Sequence, residues 1–550
     1  MYKFKTYFSY LFLIILAFIP ILSLLHSGLP VTHDGQDHVA RIANFYQNLT
    51  EGNIIPRWAG NLNWGYGHPI LEFLYPLPSY IASLFHFLSF SLVDSTKIVF
   101  GLGMVLSTIF MYLWLASFLN RSAALFGAAL YTYAPYRFVE IYVRGDIGEN
   151  LAFAFIPLVL LFAHRIYKYN KFTDAIWGSF SLALLILSHN AISLMLMPFI
   201  LLYFLILIYL SKEKNKIFMN LLSLFIMGFG LSAFFWIPGL FEGKYTLRNI
   251  VTKGEYLKRF VSFKDFIYGP GSFIGAGELT FQFGPLSWLS IIAAPFVFLK
   301  FKKEKEKFYL LALLLVFLSI AVFLMLPVSN FIWSRVLLLQ NFQFPWRFLA
   351  IVVFTTAVLG ALFLEAIPKK YKMKLSLVLI IMIMILGSFY LRPKEYLQKP
   401  DSFYTGIYKS TTDTGESAPI WSIRFMEKEP RSNLEVIDGD AKIENLERKS
   451  TYHKYKVIVD RETILRENTL YFPGWEMRAN GKPIEVRFQV PYKNGTMEFS
   501  LDKGSYIIES IYKETKLRLF ADVISSVTLG NLIGGLLIII FIKLKSNKFI

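Results

Sequence analysis

The amino-acid sequence predicts an all-α polytopic membrane protein that carries an extracytoplasmic antiparallel β domain near its C-terminus. Hydrophobic residues make up 55% of the 550 residues. Many of them stand in runs of about 18 or more, long enough to cross a bilayer core of about 30 Å. A polar stretch, 393–519, interrupts this pattern and contains segments that alternate as β-strands do. Cysteine is absent, which excludes disulfides and thiolate metal sites.

Twelve hydrophobic runs are predicted to cross the membrane. The first could be mistaken for a secretory signal peptide, but its apolar core is too long and no small-residue cleavage site follows it. The predicted spans lie at 8–25, 97–117, 122–137, 150–166, 173–187, 190–210, 217–238, 285–299, 308–326, 347–366, 374–392 and 520–542. They divide the chain into a membrane domain at 1–392, a β-rich domain at 393–519, and a C-terminal helix with a basic tail at 520–550.

The net charge of +18 is distributed as a membrane topology predicts. With twelve spans, the two ends and the even-numbered connections carry 21 basic and five acidic residues, whereas the opposite side is almost neutral. Positive residues favour the cytoplasmic side, so both termini are predicted to be cytoplasmic and the charge requires no nucleic-acid partner. The cytoplasmic connections are short and hold no Walker or Rossmann glycine motif in a suitable setting. This argues against ATP-driven transport and against a nucleotide-sugar substrate.

The predicted topology places four large segments outside the cell: 26–96, 237–284, 327–346 and 393–519. Part of the first segment, 69–92, is apolar enough to suggest a thirteenth span, but counting it as one would reverse the charge distribution. Its many aromatic residues are typical of the membrane interface, so we predict an interfacial helix pair there.

The β-rich segment contains several strand signals. Residues 454–460, 497–501 and 506–513 either alternate or are rich in β-branched and aromatic residues, as strands are. Asn480-Gly481 lies between two strand-like runs, which indicates a type I′ hairpin. The front part, 393–450, is polar and shows no period that assigns it.

The first candidate site is THDGQDHVAR (32–41), directly after the first predicted span. Its carboxylates, Asp34 and Asp37, and its His38 lie at the mouth of the predicted helix bundle. A carboxylate held there could act as a general base or as an oxygen ligand of a divalent cation. The alternative is an ordinary solvated loop.

The second candidate site is RGDIGEN (144–150), in a short connection on the same predicted face. Asp146 and Glu149 stand three residues apart at a predicted helix start, behind Arg144. They could act with the first site. Alternatively, Glu149 only stabilises the N-terminus of the helix.

Other polar residues in the predicted outer loops could bind substrate. SHN (188–190) could instead be a hydrogen-bonded turn. The arginine of FPWRF (344–348) could bind a phosphate or only extend to lipid headgroups. The candidates of this group are His189, Asn190, Glu242, Lys244 and Arg347.

Several motifs, in order along residues 1 to 392, resemble a known family. THDGQDHVAR, GNIIPRWAGNLNWGYGHPILEFLYPLPSYI (52–81), YVRGDIGENLAFAFIPL, LSHN, FFWIPGLFE and FPWRF are similar to the bacterial and archaeal "6-pyruvoyl-tetrahydropterin synthase-related" membrane proteins. These resemble the GT-C glycosyltransferase superfamily. The pterin name looks misleading, because the three-histidine zinc site of such synthases has no counterpart in the sequence. LYFPGWEMRANGKPIEV (470–486) resembles the C-terminal module of YfhO-like membrane proteins.

The resemblance implies a GT-C-like bundle of about twelve spans with interfacial helices. It also implies a cell-envelope enzyme that transfers a sugar from a polyprenyl-phosphate donor to a hydroxyl of a glycan, lipid or protein. Asp34 is the favoured base and Asp37 the second choice, with Asp146 and Glu149 as base, metal ligands or acceptor-positioning groups. The predicted metal, Mg or Mn, would bind Asp34, Asp146 and Glu149. The predicted substrate-binding residues are His38, Arg144, His189, Asn190, Glu242, Lys244 and Arg347, and those predicted to stabilise the departing phosphate are Arg347, Lys244 and Arg248.

Three alternatives stay open at this stage. A lipid-linked oligosaccharide ligase or polymerase would use the same fold and site. A glycolipid or polysaccharide transporter usually concentrates its charges near the membrane midplane, whereas the acidic residues of this chain lie at a predicted boundary. A scaffold without activity would not need carboxylates in both loops.

Overall fold

A computed structural model describes residues 11–269, 271, 278–489 and 494–546 of the chain. These residues form a largely helical body with a β sheet near the C-terminus. We number the helices in chain order: α1 Leu11–Leu25, α2 Gly35–Thr50, α3 Ile70–Phe73, α4 Leu77–Phe87, α5 Leu92–Ala116, α6 Arg121–Tyr133, α7 Pro135–Val139, α8 Ile147–Tyr169, α9 Phe172–Ser188, α10 Asn190–Leu210, α11 Lys214–Leu231, α12 Ala233–Phe241, α13 Arg248–Val251, α14 Pro285–Ile292, α15 Ala294–Phe301, α16 Lys305–Met325, α17 Asn330–Trp333, α18 Leu337–Gln340, α19 Leu349–Ala366, α20 Lys369–Gly387, α21 Asp401–Thr405 and α22 Lys516–Ser546.

Seven of the helices in the described part of the chain are long and apolar enough to cross a membrane. Their bounds are Leu92–Ala116, Ile147–Tyr169, Asn190–Leu210, Lys305–Met325, Pro345–Ala366, Lys369–Tyr390 and Lys516–Phe541. The predicted span at 217–238 is a pair of helices, α11 and α12, that bend by 68°. The count of twelve spans therefore stays a prediction. The start of the first predicted span, 8–10, lies outside the described residues.

The remaining predicted spans are shorter helices. Helices α1 and α9 are apolar but have fewer than 18 residues in the described chain. The span predicted at 285–299 consists of α14 and α15, which meet at Ala293. Two prolines divide the stretch 69–92 into α3 and α4, because proline cannot donate the backbone hydrogen bond of a helix interior. Neither helix is long enough to cross a membrane, as predicted. Their position at the membrane interface stays a prediction.

The centre of the helical body is a single apolar core. Helix α5 packs on α6 and α8, and α6 packs in turn on α19. Large side chains such as Trp114 and Tyr131 are completely buried there. Helix α22 packs against α11 and α12 at the edge of the body, so most of its surface is exposed. The loop after α1 meets the turn between α7 and α8.

The sheet near the C-terminus is antiparallel. Its strands are β3 Leu434–Arg448, β4 Tyr452–Leu470, β5 Trp475–Ala479, β6 Lys482–Pro483, β7 Thr496–Leu501 and β8 Gly504–Tyr512. Their order is β3-β4-β8-β5-β6, and β7 pairs with the second half of β4. The predicted strands correspond to β4, β7 and β8. The hairpin predicted at Asn480-Gly481 is confirmed by the pairing of Ala479 with Lys482.

The segment that the sequence left without an assignment, 393–450, has two structured parts. Its end forms the long strand β3. Its beginning returns to the loop after α1, where a two-residue strand, β2 (Tyr396–Leu397), pairs with β1 (Leu29–Pro30). Strand β2 depends on a partner in the distant N-terminal part of the chain, which explains why local sequence patterns did not reveal it, whereas β3 pairs with the adjacent strand β4.

The sheet shares one apolar core with residues 26–96, which we call the first outer segment after their predicted side of the membrane. Trp58 and Phe73 of that segment are buried against Phe472 and Trp475 of the β-rich region. The domain boundaries predicted at 392 and 519 stay predictions, but this core joins residues on both sides of the first boundary.

Candidate active site

Backbone hydrogen bonds hold the two predicted acidic motifs side by side. The amide of Asp34 donates to the carbonyl of Arg144 at 2.8 Å, and the amide of His33 donates to the carbonyl of Val143 at 3.0 Å. Gly145 has a φ of +71°, and a Cβ atom there would collide with Thr32. A glycine is therefore required for the two loops to approach so closely.

Arg144 joins three buried carboxylates. Its Nη1 donates to Glu140 Oε1 at 2.6 Å and to Glu149 Oε2 at 2.9 Å, and its Nη2 donates to Asp146 Oδ2 at 3.0 Å. Trp346 covers the guanidinium, whose carbon lies 4.7 Å from the ring centroid. A planar fork of donors is the group that can bridge carboxylates in this way.

Glu140 is the residue of this cluster that sequence reasoning missed. It begins a π-helical turn, Glu140–Arg144, and is fully buried. The available signal was the carboxylate four residues before Arg144, the spacing at which ion pairs form within a helix. Turns of this type are common at functional sites.

Asp146 caps the N-terminus of α8. Its Oδ1 accepts from the amide of Glu149 at 2.9 Å and from the hydroxyl of Tyr75 at 3.2 Å. A Cβ atom on Gly148 would collide with the Tyr75 ring, so this glycine permits the tyrosine to reach the cap. Burial raises the pKa of Asp146, but His189, Arg144 and Arg347 together hold it well below its ordinary value. The carboxylate is therefore ionised and well stabilised.

His189 faces the same carboxylate. Its Nε2 lies 3.7 Å from Asp146 Oδ2, and its Nδ1 accepts from the amide of Ile192 at 3.1 Å. Because Nδ1 accepts from an amide, Nε2 is the ring nitrogen that can donate, and it faces Asp146. Asn190, the next predicted residue, is exposed and its side chain bonds the amide of Ala191.

Arg347 approaches both acidic residues of the second motif. Its Nε lies 3.5 Å from Glu149 Oε2 and its Nη2 lies 4.0 Å from Asp146 Oδ2. Tyr136 donates to the other oxygen of Glu149 at 2.7 Å. We call this group the Arg144 cluster; its members are Glu140, Arg144, Asp146, Glu149 and Arg347.

Asp34 is more accessible than the buried carboxylates of the Arg144 cluster. It is partly buried, and no hydrogen bond to its side chain is found among the described residues. Burial raises the pKa of Asp34 above its ordinary value, although the nearby Arg144 opposes the shift. A carboxylate with a raised pKa and free oxygens is suited to accept a proton.

Asp37 and His38 differ from Asp34 in having partners. Tyr408 donates to Asp37 Oδ1 at 3.0 Å. His38 is buried, and its Nδ1 lies 3.2 Å from Nη1 of Arg41. Burial and the charge of Arg41 lower the pKa of His38 well below its ordinary value, so the ring is neutral and can accept from the guanidinium.

A buried group of three side chains could bind a metal ion. The ligand atoms of Asp146, Glu149 and His189 all lie within 4.8 Å of one another, and carboxylate and imidazole are common ligands of divalent cations. Asp34, which was predicted to join Asp146 and Glu149, is not part of this group among the described residues. Arg144 and Arg347 already face both carboxylates, so a cation would compete with two guanidinium groups.

Glu242 and Lys244 lie away from the Arg144 cluster. Glu242 is buried and accepts from Arg518 of α22 at 2.6 and 2.9 Å. Lys244 is exposed, with its ammonium 5.0 Å from the Tyr245 ring centroid. Arg248, also predicted to stabilise a phosphate, stacks on Phe73 at 5.1 Å. Their predicted roles in substrate binding stay predictions, without support from proximity to Asp34.

Comparison with known proteins gives one family match. The model of a family described as "6-pyruvoyl-tetrahydropterin synthase related domain; membrane protein" matches residues 71–393. A relative from Lactococcus lactis subsp. cremoris (strain MG1363), described only as an uncharacterised protein, is 29% identical over 342 residues, which cover 58% of this chain and 54% of the relative. The chain thus spans about half the length of that relative.

Two solved structures illustrate the similarity of shape. The apo oligosaccharyltransferase of Archaeoglobus fulgidus superposes with a TM-score of 0.47 at 14% identity, over 76% of this chain and 62% of that protein. The arabinofuranosyltransferase AftD from Mycobacteria superposes with a TM-score of 0.45 at 15% identity, over 71% of this chain and 28% of that protein. At these values, no residue role is transferred to this chain.

Proposed function

The chain belongs to the 6-pyruvoyl-tetrahydropterin synthase-related family of membrane proteins, and we propose that it catalyses glycosyl transfer at the site around Asp34. The proposed reaction moves a sugar from a polyprenyl-phosphate donor to an extracytoplasmic hydroxyl of a glycan, a lipid or a protein. The observation that carries the proposal is the free Asp34 carboxylate, fixed by a backbone hydrogen bond beside Arg144. The motifs that resemble GT-C enzymes support it.

Asp34 is the general base of the proposed reaction. Its free oxygen takes the proton of the acceptor hydroxyl as the hydroxyl oxygen attacks the anomeric carbon. The bond from that carbon to the phosphate oxygen breaks, and the phosphate leaves with the electron pair. The raised pKa of Asp34 suits this role because a more basic carboxylate accepts a proton more readily.

The Arg144 cluster has two functions in this proposal. The ionised Asp146 carboxylate of the cluster favours the positive charge that develops on the anomeric carbon during glycosyl transfer. Arg347 can offer a donor to the departing phosphate, because its Nε has no hydrogen bond in the described chain. A metal held by Asp146, Glu149 and His189 would supply further charge stabilisation of that phosphate.

The test is turnover by the full-length protein in lipid nanodiscs, supplied with radiolabelled polyprenyl-phosphate hexoses and pentoses. We expect Asp34→Asn to lower kcat by about 10²- to 10⁴-fold, the usual contribution of a general base. Asp502→Asn is the matched control, because Asp502 is an exposed residue in the turn between β7 and β8. Equal turnover in the wild type and in both variants would refute the proposal.

The same assay addresses the ligase alternative. A lipid-linked oligosaccharide replaces the monosaccharide donor, and all other components stay unchanged. Transfer of the whole oligosaccharide, with no transfer from the monosaccharide donors, would assign the protein to the ligase and polymerase class. The dependence on Asp34 is expected in both cases.

A further inference from the structure

A second feature of the molecule is a large polar cleft, which we call the β3 cleft. It has a volume of about 870 Å³ and lies between strand β3 and the first outer segment. The residues 429–436 and part of β3 form one wall, and Asn61 and Ile407 contribute to the other. A volume of this size is in the range of sites that hold a complete small-molecule ligand.

The lining of the β3 cleft indicates an uncharged ligand rich in hydroxyl groups. Its four charged residues are two acids, Glu429 and Glu435, and two bases, Arg431 and Arg448, so the lining has no net charge. Asparagine side chains add both donors and acceptors. Ile407 on one wall and Ala441 and Ile443 on the other offer apolar surface of the kind that can contact the C–H faces of a sugar.

The pleat of β3 determines which of its side chains enter the cleft. Ala441, Ile443 and Asn445 line it, whereas the residues between them do not, as expected for a strand whose side chains alternate. A register shift between Asn445 and Glu447 interrupts the alternation. As a result, Arg448 is the next residue of the strand to line the cleft.

Two side chains of β4 hold Arg448 in place. Its Nη1 donates to Tyr455 Oη at 3.1 Å and to Glu467 Oε1 at 3.3 Å. Glu467 is fully buried and also pairs with His453 at 2.9 Å. No hydrogen bond from the other two nitrogens of Arg448 is found among the described residues. A positioned guanidinium with free donors loses little conformational entropy when a ligand binds.

The cleft is connected to the candidate active site by helix α2. Asn61 in the cleft wall donates to Gln47 Oε1 at 2.8 Å, and Gln47 lies on α2 ten residues after Asp37, which is about 15 Å along the helix. Asn61 also accepts from the amide of Tyr408. The dipeptide Ile407-Tyr408 therefore contacts the cleft with one residue and Asp37 with the other.

We propose that the β3 cleft binds an uncharged saccharide of several residues and that this saccharide is the acceptor chain. Its bound part lies in the cleft, and its end reaches along α2 to Asp34. The role as acceptor rests on the proposed function. The binding of a saccharide does not depend on it, because the cleft and the Arg144 cluster share no residues.

The test uses saturation-transfer NMR with the full-length protein in nanodiscs. The neutral probes are maltohexaose and arabinohexaose. Hexagalacturonate is the anionic probe of equal length, and a decapeptide of alternating threonine and valine reports an extended peptide on the free edge of β3. We expect at least one neutral saccharide to bind, and we expect hexagalacturonate and the decapeptide to bind more weakly.

Three variants locate the binding. Asn445→Ala and Arg448→Gln should weaken saccharide binding by about tenfold, the loss of one good hydrogen bond. Glu444→Ala is the matched control, since Glu444 is exposed on β3 and lies outside the cleft lining. Asn445 is exposed as well, so its replacement preserves the fold even where Arg448→Gln does not.

The outcomes separate the two proposals. Equal binding in Asn445→Ala, Glu444→Ala and the wild type would overturn the cleft assignment, as would preferential binding of hexagalacturonate or the peptide. Asp34→Asn should bind the saccharide as the wild type does. Saccharide binding without turnover from any donor would refute only the proposed function, whereas turnover without binding of a neutral saccharide would refute only the cleft proposal.

Discussion

The molecule contains two buried ion clusters of similar composition. In the Arg144 cluster, one arginine joins Glu140, Asp146 and Glu149. In the second, which we call the Arg518 cluster, Arg518 of α22 lies 2.8 Å from Glu72 and 2.6 Å from Glu242. Both arginines are almost inaccessible to solvent. Burial of paired charges therefore does not identify a catalytic site.

The clusters differ in how they are assembled and in what surrounds them. Most of the Arg144 cluster comes from ten consecutive residues, 140–149, and a free carboxylate, Asp34, lies beside it. The Arg518 cluster joins three distant parts of the chain and connects α22 to the first outer segment. The difference suggests that the first cluster prepares a reaction, whereas the second fastens the C-terminal helix.

The strongest test of this difference between the two clusters replaces each arginine in turn. We expect Arg144→Met and Arg518→Met each to lower the free energy of unfolding by about 3–5 kcal/mol, because each removes the arginine that pairs with two or more buried carboxylates. Turnover per folded molecule should fall more than about 100-fold in Arg144→Met, since preorganised charge is lost. In Arg518→Met it should stay within about threefold of wild type. Thermal unfolding and normalised turnover in nanodiscs measure both effects, and equal loss of turnover would contradict the distinction.

The second prediction concerns pH. Protonated Asp34 cannot accept the acceptor proton, so kcat/KM should fall about tenfold per pH unit below the pKa of Asp34. Because burial raises that pKa, the decline should begin at higher pH than the ordinary aspartate value of about 3.9 allows. The pH profile of kcat/KM measures this. The acid limb should persist in Asp37→Asn, and its persistence in Asp34→Asn would exclude Asp34 as the base.

The third prediction tests the returning segment after α20. Tyr408→Phe removes the hydrogen bond to Asp37, a contribution of about 1 kcal/mol. We therefore expect kcat/KM to fall about fivefold, with the acid limb of the pH profile retained because that limb belongs to Asp34. Tyr404→Phe is the control, because Tyr404 is buried in the same segment but its hydroxyl has no hydrogen bond in the described chain. Equal effects of Tyr408→Phe and Tyr404→Phe on kcat/KM would show that the hydrogen bond of Tyr408 to Asp37 has no specific role in the reaction.

The smallest expected effect is that of metal removal. Arg144 and Arg347 already face the carboxylates of the possible metal group, so EDTA should change turnover by less than about twofold. Restoration of a lost activity by Mn²⁺ or Mg²⁺, but not by Ca²⁺, would contradict this and would assign Asp146, Glu149 and His189 as ligands. The measurement is turnover after dialysis against EDTA and after each addition.

Sequence reasoning was most successful where the signal is local. Strands β4, β7 and β8 and the Asn480-Gly481 hairpin follow from alternation and turn chemistry. It was less successful for spans, since 217–238 reads as one apolar run but bends by 68° at Ser232. Hydrophobicity reports that a segment avoids water, and it does not report where a helix bends.

For the candidate site, the residue types could be predicted and their partners could not. Arg347 was predicted from FPWRF as a phosphate-binding residue, and in the structure it lies close to Asp146 and Glu149. Glu242 was identified from its position after a predicted span, yet its partner, Arg518, lies 276 residues away. Long-range ion pairs depend on how the helices pack, which is a property of the complete fold.

The membrane class, the proximity of acidic motifs to span ends and the β-rich C-terminal region could all be read from the amino-acid sequence. They depend on run length and residue period, which adjacent residues set through bilayer thickness and backbone geometry. The proposed choice of Asp34 over Asp37 as the base could not be read from the sequence. It depends on the hydrogen bond from Tyr408 to Asp37, and these two residues are 371 positions apart in the chain. The same holds for the β3 cleft, whose walls meet only when the first outer segment packs against the sheet.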